Sequence, residues 1–377
     1  MNVLFVHDLE FKFKSFHEFY CCSGLDDKYF DRFFESGYSH VSILSRAKQM
    51  VVSDEIPFDN ININLSKACV KSYLGLLNPV FYFFLIKELK ISKLVVVSTP
   101  SVIGTFVTLI CLLLRKPYTV EVAGDGDSFL SKKAGWIFSF FLRFMMPIFV
   151  RRAQGAAYVT KFLADKFPNE TRIIVASNVN ILDIHPKTLL SHSLIEKDVV
   201  KIGFVGGLNR RKGVDVLLQA ASQLIIDRNY QHLQFHLVGG HSDFNLEAVL
   251  VDLDVRNYFV LHGTKSKADV LELMQSFDIY VQPSLSEGLP RATLEAMSCS
   301  LPVVATNLPG FYDILADDAL VEPGNAADLA TKIDSFLNSE VLCSEHSSRN
   351  LKVASSFLYD SLHQKRCEYY HSFIDNY

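Results

Sequence analysis

The stretch "VKIGFVGGLNRRKGVDVLLQAASQLI", residues 200–225, contains a strand, a glycine turn and a helix in succession. Residues 200–206 are almost continuously apolar, which is typical of a strand buried on both faces of a parallel sheet. The apolar residues that follow fall on one stripe of a helix: Val214, Leu217, Leu218, Ala221 and Leu224. A strand that ends in glycines and leads into an amphipathic helix is a unit of α/β architecture.

Similar apolar runs occur along the whole chain and predict seven further strands. They are residues 2–6, 40–44, 93–98, 118–123, 233–239, 277–283 and 302–306. Helix-period segments separate them, so we predict an α/β protein with parallel sheets. A chain of 377 residues favours two domains. A polar stretch at 176–199 marks the expected boundary.

Composition excludes several classes of protein. Hydrophobic residues make up 49% of the chain and the mean hydropathy is +0.18, which is high for a soluble protein but below that of a multi-span membrane protein. The net charge of -4 argues against a nucleic-acid partner. The seven cysteines are scattered without a C-x-x-C pair, so neither a disulfide framework nor a structural zinc site is expected. The N-terminal residues resemble a first strand rather than a signal peptide, and we expect a cytoplasmic protein.

Two apolar segments raise the question of membrane contact. Residues 101–114 are too short to span a bilayer and predict a buried helix. Residues 134–150 are rich in Trp and Phe and are flanked by basic pairs at 132–133 and 151–152. This pattern fits an interfacial helix lying on anionic lipid, although a core helix fits equally well. Peripheral membrane contact through 132–152 is therefore one of two open interpretations.

Glycine-rich and polar segments follow the predicted strands, at the sheet edge where open α/β folds bind ligands. The segment "GGLNRRKG", residues 206–213, combines Gly206 with the cations Arg210, Arg211 and Lys212 before a helix start. Backbone N–H groups, the helix dipole and these cations predict a phosphate site that requires no metal. The spacing is neither that of a Walker loop nor that of a dinucleotide turn.

The segment "PSLSEGLPRATLEAM", residues 283–297, places two carboxylates around a second turn. Pro290 is expected at the first helical position, with the N–H groups between Gly288 and Arg291, other than at Pro290 itself, available to an anion. Glu287 lies in the turn, where it could accept hydrogen bonds from sugar hydroxyls. Glu295 lies about two turns later, where a helix-dipole role is the simpler alternative.

Together, Glu287-x7-Glu295, "FVGGLNRRKG" and "SNVNI" (177–181) resemble the retaining glycosyltransferases of family four, over about residues 170–340. The resemblance implies the GT-B fold: two Rossmann-like doubly wound domains facing a central cleft. We expect an acceptor domain at 1–180, a nucleotide-sugar domain at 181–354, and a helix at 355–377 that packs back onto the first domain.

The resemblance also implies transfer of a sugar from a nucleotide diphosphate sugar to an acceptor hydroxyl, with retention and without a metal or other cofactor. Lys212 and a nearby Arg would neutralise the diphosphate, Glu287 would contact the sugar, and Glu295 the ribose hydroxyls. The remaining expected donor-binding positions are Gly206, Arg210, Gly239, Gly288, Leu289 and Pro290.

The chain departs from the family pattern at three places. Gly207 stands where relatives carry an Arg, so Arg211, or else Arg210, is expected to replace it. Asp125 stands where many relatives carry a His, and is the candidate for orienting or deprotonating the acceptor. Residues 7–14 replace a Gly-Gly loop, which makes donor contacts there doubtful. The "DGD" at 125–127 could suggest a metal site, but it lies in the first half, away from the basic donor loop.

The expected function is therefore sugar transfer, with a UDP-sugar favoured, to a lipid-linked or polysaccharide acceptor in bacterial capsule, O-antigen or exopolysaccharide synthesis. Two alternatives remain open from the residues. One is a sugar-nucleotide 2-epimerase of the same fold, and the other is a non-catalytic nucleotide- or glycan-binding subunit.

Overall fold

The computed structural model describes residues 1–15, 18–21, 25, 27–49, 58–124, 135–186, 194–240 and 242–374. The chain forms two compact units. The first unit consists of residues 1–178 and 363–377, and the second unit of residues 179–362. The sequence placed the corresponding limits at 180/181 and 354/355.

The first unit is built on one eight-stranded sheet with the order β4-β3-β1-β5-β6-β7-β8, in which β2 pairs with β1. The strands are β1 Asn2–Ser15, β2 Glu18–Cys21, β3 His40–Gln49, β4 Ile63–Leu65, β5 Ser92–Thr99, β6 Thr119–Val122, β7 Ala156–Tyr158 and β8 Ile173–Val175. All pairs are parallel except β1 with β2. The helices are α1 Asp27–Phe34, α2 Pro79–Ile91, α3 Val102–Leu113, α4 Gly135–Arg152 and α5 Lys161–Lys166, with a 3₁₀ turn at Tyr73–Leu77.

The second unit has a six-stranded parallel sheet with the order β11-β10-β9-β12-β13-β14. The strands are β9 Val200–Val205, β10 Leu233–Val238, β11 Phe259–Gly263, β12 Ile279–Gln282, β13 Val303–Thr306 and β14 Leu320–Val321. The helices are α6 Val214–Ser222, α7 Leu246–Asp252, α8 Lys267–Ser276, α9 Arg291–Ser298, α10 Pro309–Tyr312, α11 Ala326–Leu337 and α12 Glu340–Ser355. The last helix, α13 Tyr359–His371, begins in the second unit and belongs to the first unit from His363 onwards. Strand order reverses between β9 and β12, which makes their carboxyl ends the topological switch point where such sheets bind ligands.

All eight predicted strands occur, and the five stripe residues from Val214 to Leu224 are at most 1% exposed. Two predicted elements differ in extent. Strand β1 runs to Ser15, because it continues along β3 and pairs with β2 beyond the predicted strand. The C-terminal helix predicted at 355–377 is instead α12, which ends at Ser355, followed by a separate α13 at 359–371.

Aromatic side chains of α13 and the following turn lie in the core of the first unit. Tyr369, Tyr370 and Phe373 are at most 7% exposed there, and the rings of Phe33 and Tyr370 lie 4.6 Å apart. These three residues attach the C-terminal segment to the core of the first unit. Phe357, by contrast, packs in a core cluster of the second unit.

A buried carboxylate, Glu121 on β6, connects α1 and α13 within the first unit. It accepts hydrogen bonds from Arg32, 3.2 Å away, and from the hydroxyls of Tyr29 and Tyr370. Burial raises the pKa of Glu121, but Arg32 and the two hydroxyls outweigh it and hold the pKa below its usual range. The network supplies partners for a charge that would otherwise be costly to bury.

The helix predicted at 101–114 is α3, and most of its residues are buried, as expected. In the C-terminal half of α4, Met146, Phe149 and Val150 are buried whereas Phe144 and Ile148 are about half exposed. This half therefore has one core-facing stripe and one exposed apolar stripe. Within the described ranges, no helix is both long and apolar enough to cross a membrane.

Candidate active site

The loops that follow β9 and β12 flank the switch point of the second unit and are bonded to each other. The N–H of Leu285 donates to the carbonyl of Arg211 at 2.9 Å. The Arg211 guanidinium donates to the carbonyl of Ser286 at 3.1 Å. The basic segment and the Glu287 turn, predicted separately from the sequence, thus form one surface at this edge of the sheet.

Glycine is required where these loops approach other backbone. Gly213 has a φ of +70°, and a Cβ there would lie 1.8 Å from the carbonyl oxygen of Pro283. A Cβ on Gly239 would lie 1.8 Å from the carbonyl oxygen of Gly206. Any side chain would separate these segments, so Gly206 and Gly239 belong to the packing of the strand ends.

Lys212 and Glu287 form an ion pair at the centre of this surface. Their Nζ and Oε1 atoms lie 2.5 Å apart, and the side chains are 19% and 7% exposed. Asn209 accepts a hydrogen bond from the Lys212 backbone N–H and thereby fixes the 3₁₀ turn that carries the cations. The ammonium is therefore held at the mouth of the switch point and remains partly open to solvent.

A chain of buried polar side chains supports Glu287 from below. The Tyr280 hydroxyl donates to Gln282 at 2.7 Å, Gln282 donates to Ser284 at 3.0 Å, and Ser284 donates to Glu287 at 2.7 Å. Burial raises the pKa of Tyr280 well above its usual value, so its hydroxyl keeps its proton. Tyr280, Gln282 and Ser284 were not predicted from the sequence as part of the site. The signal was present in "IYVQPS", where polar groups occupy every second position of a buried strand.

The two arginines of the basic segment point in different directions. The Arg210 side chain lies 3.8 Å from the Asp215 carboxylate and over the Phe244 ring. Arg211 instead contacts the loop that carries Glu287. Gly207 has no side chain to offer, and Arg211 is the arginine that the structure brings beside the Lys212–Glu287 pair.

Glu295 lies on α9 at the edge of a cavity of about 420 Å³, large enough for a nucleoside-sized ligand. The cavity belongs entirely to the second unit. Its apolar walls come mainly from Val205, Val270, Leu271 and Met274. Lys265, Lys267 and Arg291 supply positive charge. Burial raises the pKa of Glu295, while Arg291 and Lys267 oppose that shift. A poorly hydrated carboxylate on an apolar cavity is suited to accept hydrogen bonds from ligand hydroxyls.

Helix α9 begins at Arg291, so Pro290 is its N-cap rather than its first residue as predicted. A proline preceding the helix still donates no hydrogen bond, and no side-chain cap closes this helix start within the described part of the chain. Gly288 is exposed and Leu289 half-buried. A Cβ on Gly310 would lie 1.5 Å from the Gly288 carbonyl oxygen, so the loop after β13 packs directly on this turn.

The predicted acceptor residue Asp125 and the "DGD" segment lie outside the described residues. The structure therefore places the expected donor residues Gly206, Arg211, Lys212, Gly239, Glu287 and Glu295 around one sheet edge. Arg210 adjoins the group but faces Asp215.

Known proteins resemble this chain in sequence and in fold. Residues 188–352 match the family described as glycosyl transferases group 1. Protein CapJ of Staphylococcus aureus is 28% identical over 97% of this chain and 94% of its own length. Residues 188–352 lie within the second unit, which is thus the part of the chain that matches the group 1 glycosyltransferases.

A second relative of this chain carries a full enzymatic name. It is the N,N'-diacetylbacillosaminyl-diphospho-undecaprenol alpha-1,3-N-acetylgalactosaminyltransferase of Campylobacter jejuni, 26% identical over 74% of this chain and 76% of its own length. The crystal structure of Anabaena HepE in complex with UDP is similar in fold, with a TM-score of 0.66, 17% identity and coverage of 98% of this chain and 99% of that one. The two Rossmann-like units therefore have the GT-B fold.

Proposed function

We propose that this protein transfers a sugar, with retention of configuration, from a UDP-sugar to a lipid-linked acceptor in the synthesis of a bacterial surface polysaccharide. The observation that carries the proposal is the Lys212–Glu287 pair at the switch point, with Glu295 on a nucleoside-sized cavity in the same unit. These features supply one group for each part of the donor.

The donor assignment follows from the chemistry of the cavity and its rim. Apolar walls suit a nucleobase, and the Glu295 carboxylate suits the two ribose hydroxyls. The diphosphate would then lie at Lys212, Arg211 and the start of α9, where cations and N–H dipoles favour an anion. A UDP-bound neighbour of similar fold supports uridine as the base.

The cations act chiefly on the leaving group. Cleavage of the sugar–phosphate bond develops negative charge on the departing diphosphate. Lys212 is already held by Glu287 and by its 3₁₀ turn, so it requires little reorganisation when that charge appears. Fixed charges of this kind lower the barrier without a metal, and we propose that transfer is metal-independent.

Glu287 is proposed to bind the donor sugar rather than to attack it. Its carboxylate already accepts hydrogen bonds from Lys212 and Ser284, which lowers its nucleophilicity but leaves acceptor capacity for sugar hydroxyls. Retention then requires the acceptor to approach on the face from which the diphosphate leaves, as in the family-four retaining enzymes that this sequence resembles.

A lipid-linked acceptor is supported by a relative and by the surface of the first unit. The Campylobacter relative is named for a diphospho-undecaprenol acceptor. In the first unit, Leu74, Leu77, Val80 and Phe83 are each more than half exposed and follow one another at three-residue intervals. Lys87 lies over the Phe83 ring at 4.2 Å. Apolar side chains edged by a cation suit an anionic membrane surface, so we propose peripheral contact at the cytoplasmic face.

The test is a transfer assay with the purified full chain. A panel of UDP- and GDP-sugars is offered with an undecaprenyl-diphosphate sugar acceptor, with and without a chelator, and nucleotide release is measured. We expect UDP release that depends on the acceptor and is unchanged by the chelator, and a product whose anomeric coupling constant by NMR matches the donor.

Three results would contradict parts of the proposal. Release from GDP-sugars alone would overturn the UDP assignment, and an inverted anomeric centre would overturn retention. An isomeric UDP-sugar formed without any acceptor would instead indicate an epimerase. Glu287→Gln should reduce transfer in this assay, whereas Glu322→Gln, an exposed change in the same unit, should leave it unaltered.

A further inference from the structure

A cluster of three different side chains lies in the first unit, at the contact between the end of α1 and helix α13. It consists of Glu35, His363 and Cys367. His363 and Cys367 are four residues apart on α13 and therefore project from the same face of that helix. Glu35 reaches them from the turn that follows α1. The expected donor residues described above all belong to the second unit, and none of them is part of this cluster.

The distances within the cluster fit a tetrahedral metal ion. His363 Nε2 lies 2.9 Å from Glu35 Oε2. Cys367 Sγ lies 3.5 Å from that nitrogen and 3.8 Å from that oxygen. Zinc binds nitrogen and oxygen at about 2.0 Å and sulfur at about 2.3 Å, so tetrahedral angles place nitrogen and oxygen about 3.3 Å apart and sulfur about 3.5 Å from each. Each observed separation is therefore within about 0.4 Å of the one that zinc would impose.

The two elements that carry these side chains are fixed to each other by other bonds. The Ser36 hydroxyl donates to the carbonyl of Cys367 at 2.9 Å, and His371 Nδ1 lies 3.0 Å from the carbonyl of Ser36. The Tyr38 hydroxyl donates to the carbonyl of Tyr370 at 3.2 Å. Because these contacts use backbone carbonyls and leave the candidate ligand atoms of Glu35, His363 and Cys367 in place, the ligand positions are set before any ion arrives.

We propose that Glu35, His363 and Cys367 form a zinc site that fastens α13 to the end of α1. Binding requires loss of the Cys367 thiol proton to solvent, after which the thiolate and the Glu35 carboxylate balance the two positive charges. A mixed sulfur, nitrogen and oxygen set favours zinc over magnesium or calcium, which prefer oxygen alone. The fourth position would be taken by water, since the Glu35 side chain is 59% exposed.

Cobalt provides the direct test, because a bound Cys thiolate gives Co²⁺ a charge-transfer band in the near ultraviolet. The full-length protein is dialysed against a chelator, freed of it, and titrated with CoCl₂ and then with ZnCl₂. We expect one Co²⁺ per chain with the thiolate band, displacement by Zn²⁺, and a higher unfolding temperature with Zn²⁺ than without.

The variants Cys367→Ser, His363→Gln and Glu35→Gln identify the site. Cys367→Ser should abolish the band, and the other two should weaken Co²⁺ binding at least about tenfold. Cys343→Ser and His40→Gln, matched changes elsewhere in the chain, should bind as the wild type does. Glu35 is mostly exposed, so its variant is expected to fold even if the others do not.

The proposal is overturned if the wild-type protein gives no thiolate band. It is equally overturned if the band and the affinity persist in Cys367→Ser, or if Glu35→Gln binds Co²⁺ as tightly as the wild type. In those cases the cluster is only a set of hydrogen bonds and an ion pair between α1 and α13.

Discussion

At the scale of single residues, the ion pair between Lys212 and Glu287 fixes a cation in the position where the departing diphosphate would need it. The pair is mostly buried, and the chain Tyr280, Gln282 and Ser284 holds its carboxylate in place. Removing one partner leaves the other charge poorly compensated in a site of reduced hydration. Substitutions of Lys212 and of Glu287 should therefore have different effects on the enzyme.

Lys212→Ala should reduce kcat by about a hundred- to a thousandfold, because fixed donors to a developing anion contribute that much to a transition state. The KM for the donor should rise less, since the ground-state diphosphate retains Arg211 and the α9 N–H groups. Steady-state kinetics with a UDP-sugar measure both values. Lys352→Ala, an exposed change in the same unit, should leave them unaltered, and a Lys212→Ala enzyme with normal kcat would remove Lys212 from the mechanism.

Glu295→Gln should act on binding rather than on the chemical step. The amide keeps the shape of the side chain but accepts ribose hydroxyls without charge, and charged hydrogen bonds are stronger than neutral ones. We expect the donor KM to rise about tenfold or more, with kcat within about twofold. Burial raises the pKa of Glu295. On acidification, the wild-type donor KM should therefore begin to rise at a higher pH than it would if this carboxylate had an ordinary pKa.

The comparison that isolates Glu295 is the pH profile of the donor KM in both proteins. The wild-type profile should rise on acidification, and the Glu295→Gln profile should be flat over the same range. A fall in kcat with unchanged KM would instead place Glu295 in the chemical step.

At the scale of elements, Asp8 joins the middle of β1 to the start of α3 in the first unit. Its carboxylate accepts hydrogen bonds from Ser101 and from the N–H groups of Val102 and Ile103, at 2.6 to 2.9 Å. Asp8 is 4% exposed. The residue therefore closes the positive end of α3.

Asp8→Ala should lower the free energy of unfolding of the first unit by about 2 kcal/mol or more, because it leaves buried N–H donors of α3 without their acceptor. The loss is measured by chemical denaturation, with hydrogen exchange of the α3 amides as the readout. Asp165→Ala, at an exposed position of α5, is the matched control and should change stability by less than about 0.5 kcal/mol. If Asp8→Ala leaves the free energy of unfolding unchanged, water replaces the carboxylate as the acceptor without loss of stability.

Strands β10 and β11 bring two histidines together in the second unit. His236 Nδ1 lies 2.9 Å from His262 Nε2, and burial, His262 and Lys201 lower the pKa of His236 to about 4. An unfolded His takes up its proton near pH 6.5. Acidification from about 6.5 towards 4 therefore favours the unfolded chain, and stability should fall through that window.

His236→Gln should make this acid-induced loss shallower, because an amide has no proton to gain. Thermal unfolding between pH 7 and pH 4 measures the slope for each protein. His40→Gln, at an exposed site, should keep the wild-type slope. An unchanged slope in His236→Gln would mean that other groups dominate the acid response.

The sequence predicted the longer strands well and the short ones poorly. Runs such as 93–98 are buried on both faces and contain enough β-branched residues to be unambiguous. Strands β7 and β8 have three residues each, which is too few for periodicity to register. The extent of β1 also depends on its pairing with β2 and β3, which follow it in the chain. The apolar pattern of β1 itself contains no information about these partners.

At the scale of the whole molecule, each unit has its own sheet and core, and the prediction of two doubly wound halves came from the repetition of strand, turn and helix. The proximity of the expected donor residues was predictable because they follow strands whose ends must meet in a parallel sheet. The support of Glu287 by Tyr280 and the direction of the arginines were not, since side-chain partners depend on packing between segments far apart in sequence. The Glu35 cluster escaped for the same reason, although the four-residue interval from His363 to Cys367 was visible.

The chain enters the second unit after residue 178 and returns to the first at His363, so the stability of the first unit depends on the last residues of the chain. Tyr370 is fully buried, packs on Phe33 and donates its hydroxyl to Glu121.

Tyr370→Ala should destabilise the first unit by about 3 to 5 kcal/mol, and Tyr370→Phe by about 1 to 3 kcal/mol, because only the bond to Glu121 is lost. The second unit should keep its wild-type stability in both variants. Hydrogen exchange resolved by peptide reports on the two units separately, and Tyr312→Ala, a half-exposed change, serves as the control. Equal destabilisation of both units by Tyr370→Ala would show that they unfold as one, and the C-terminal segment would then stabilise the whole chain rather than the first unit alone.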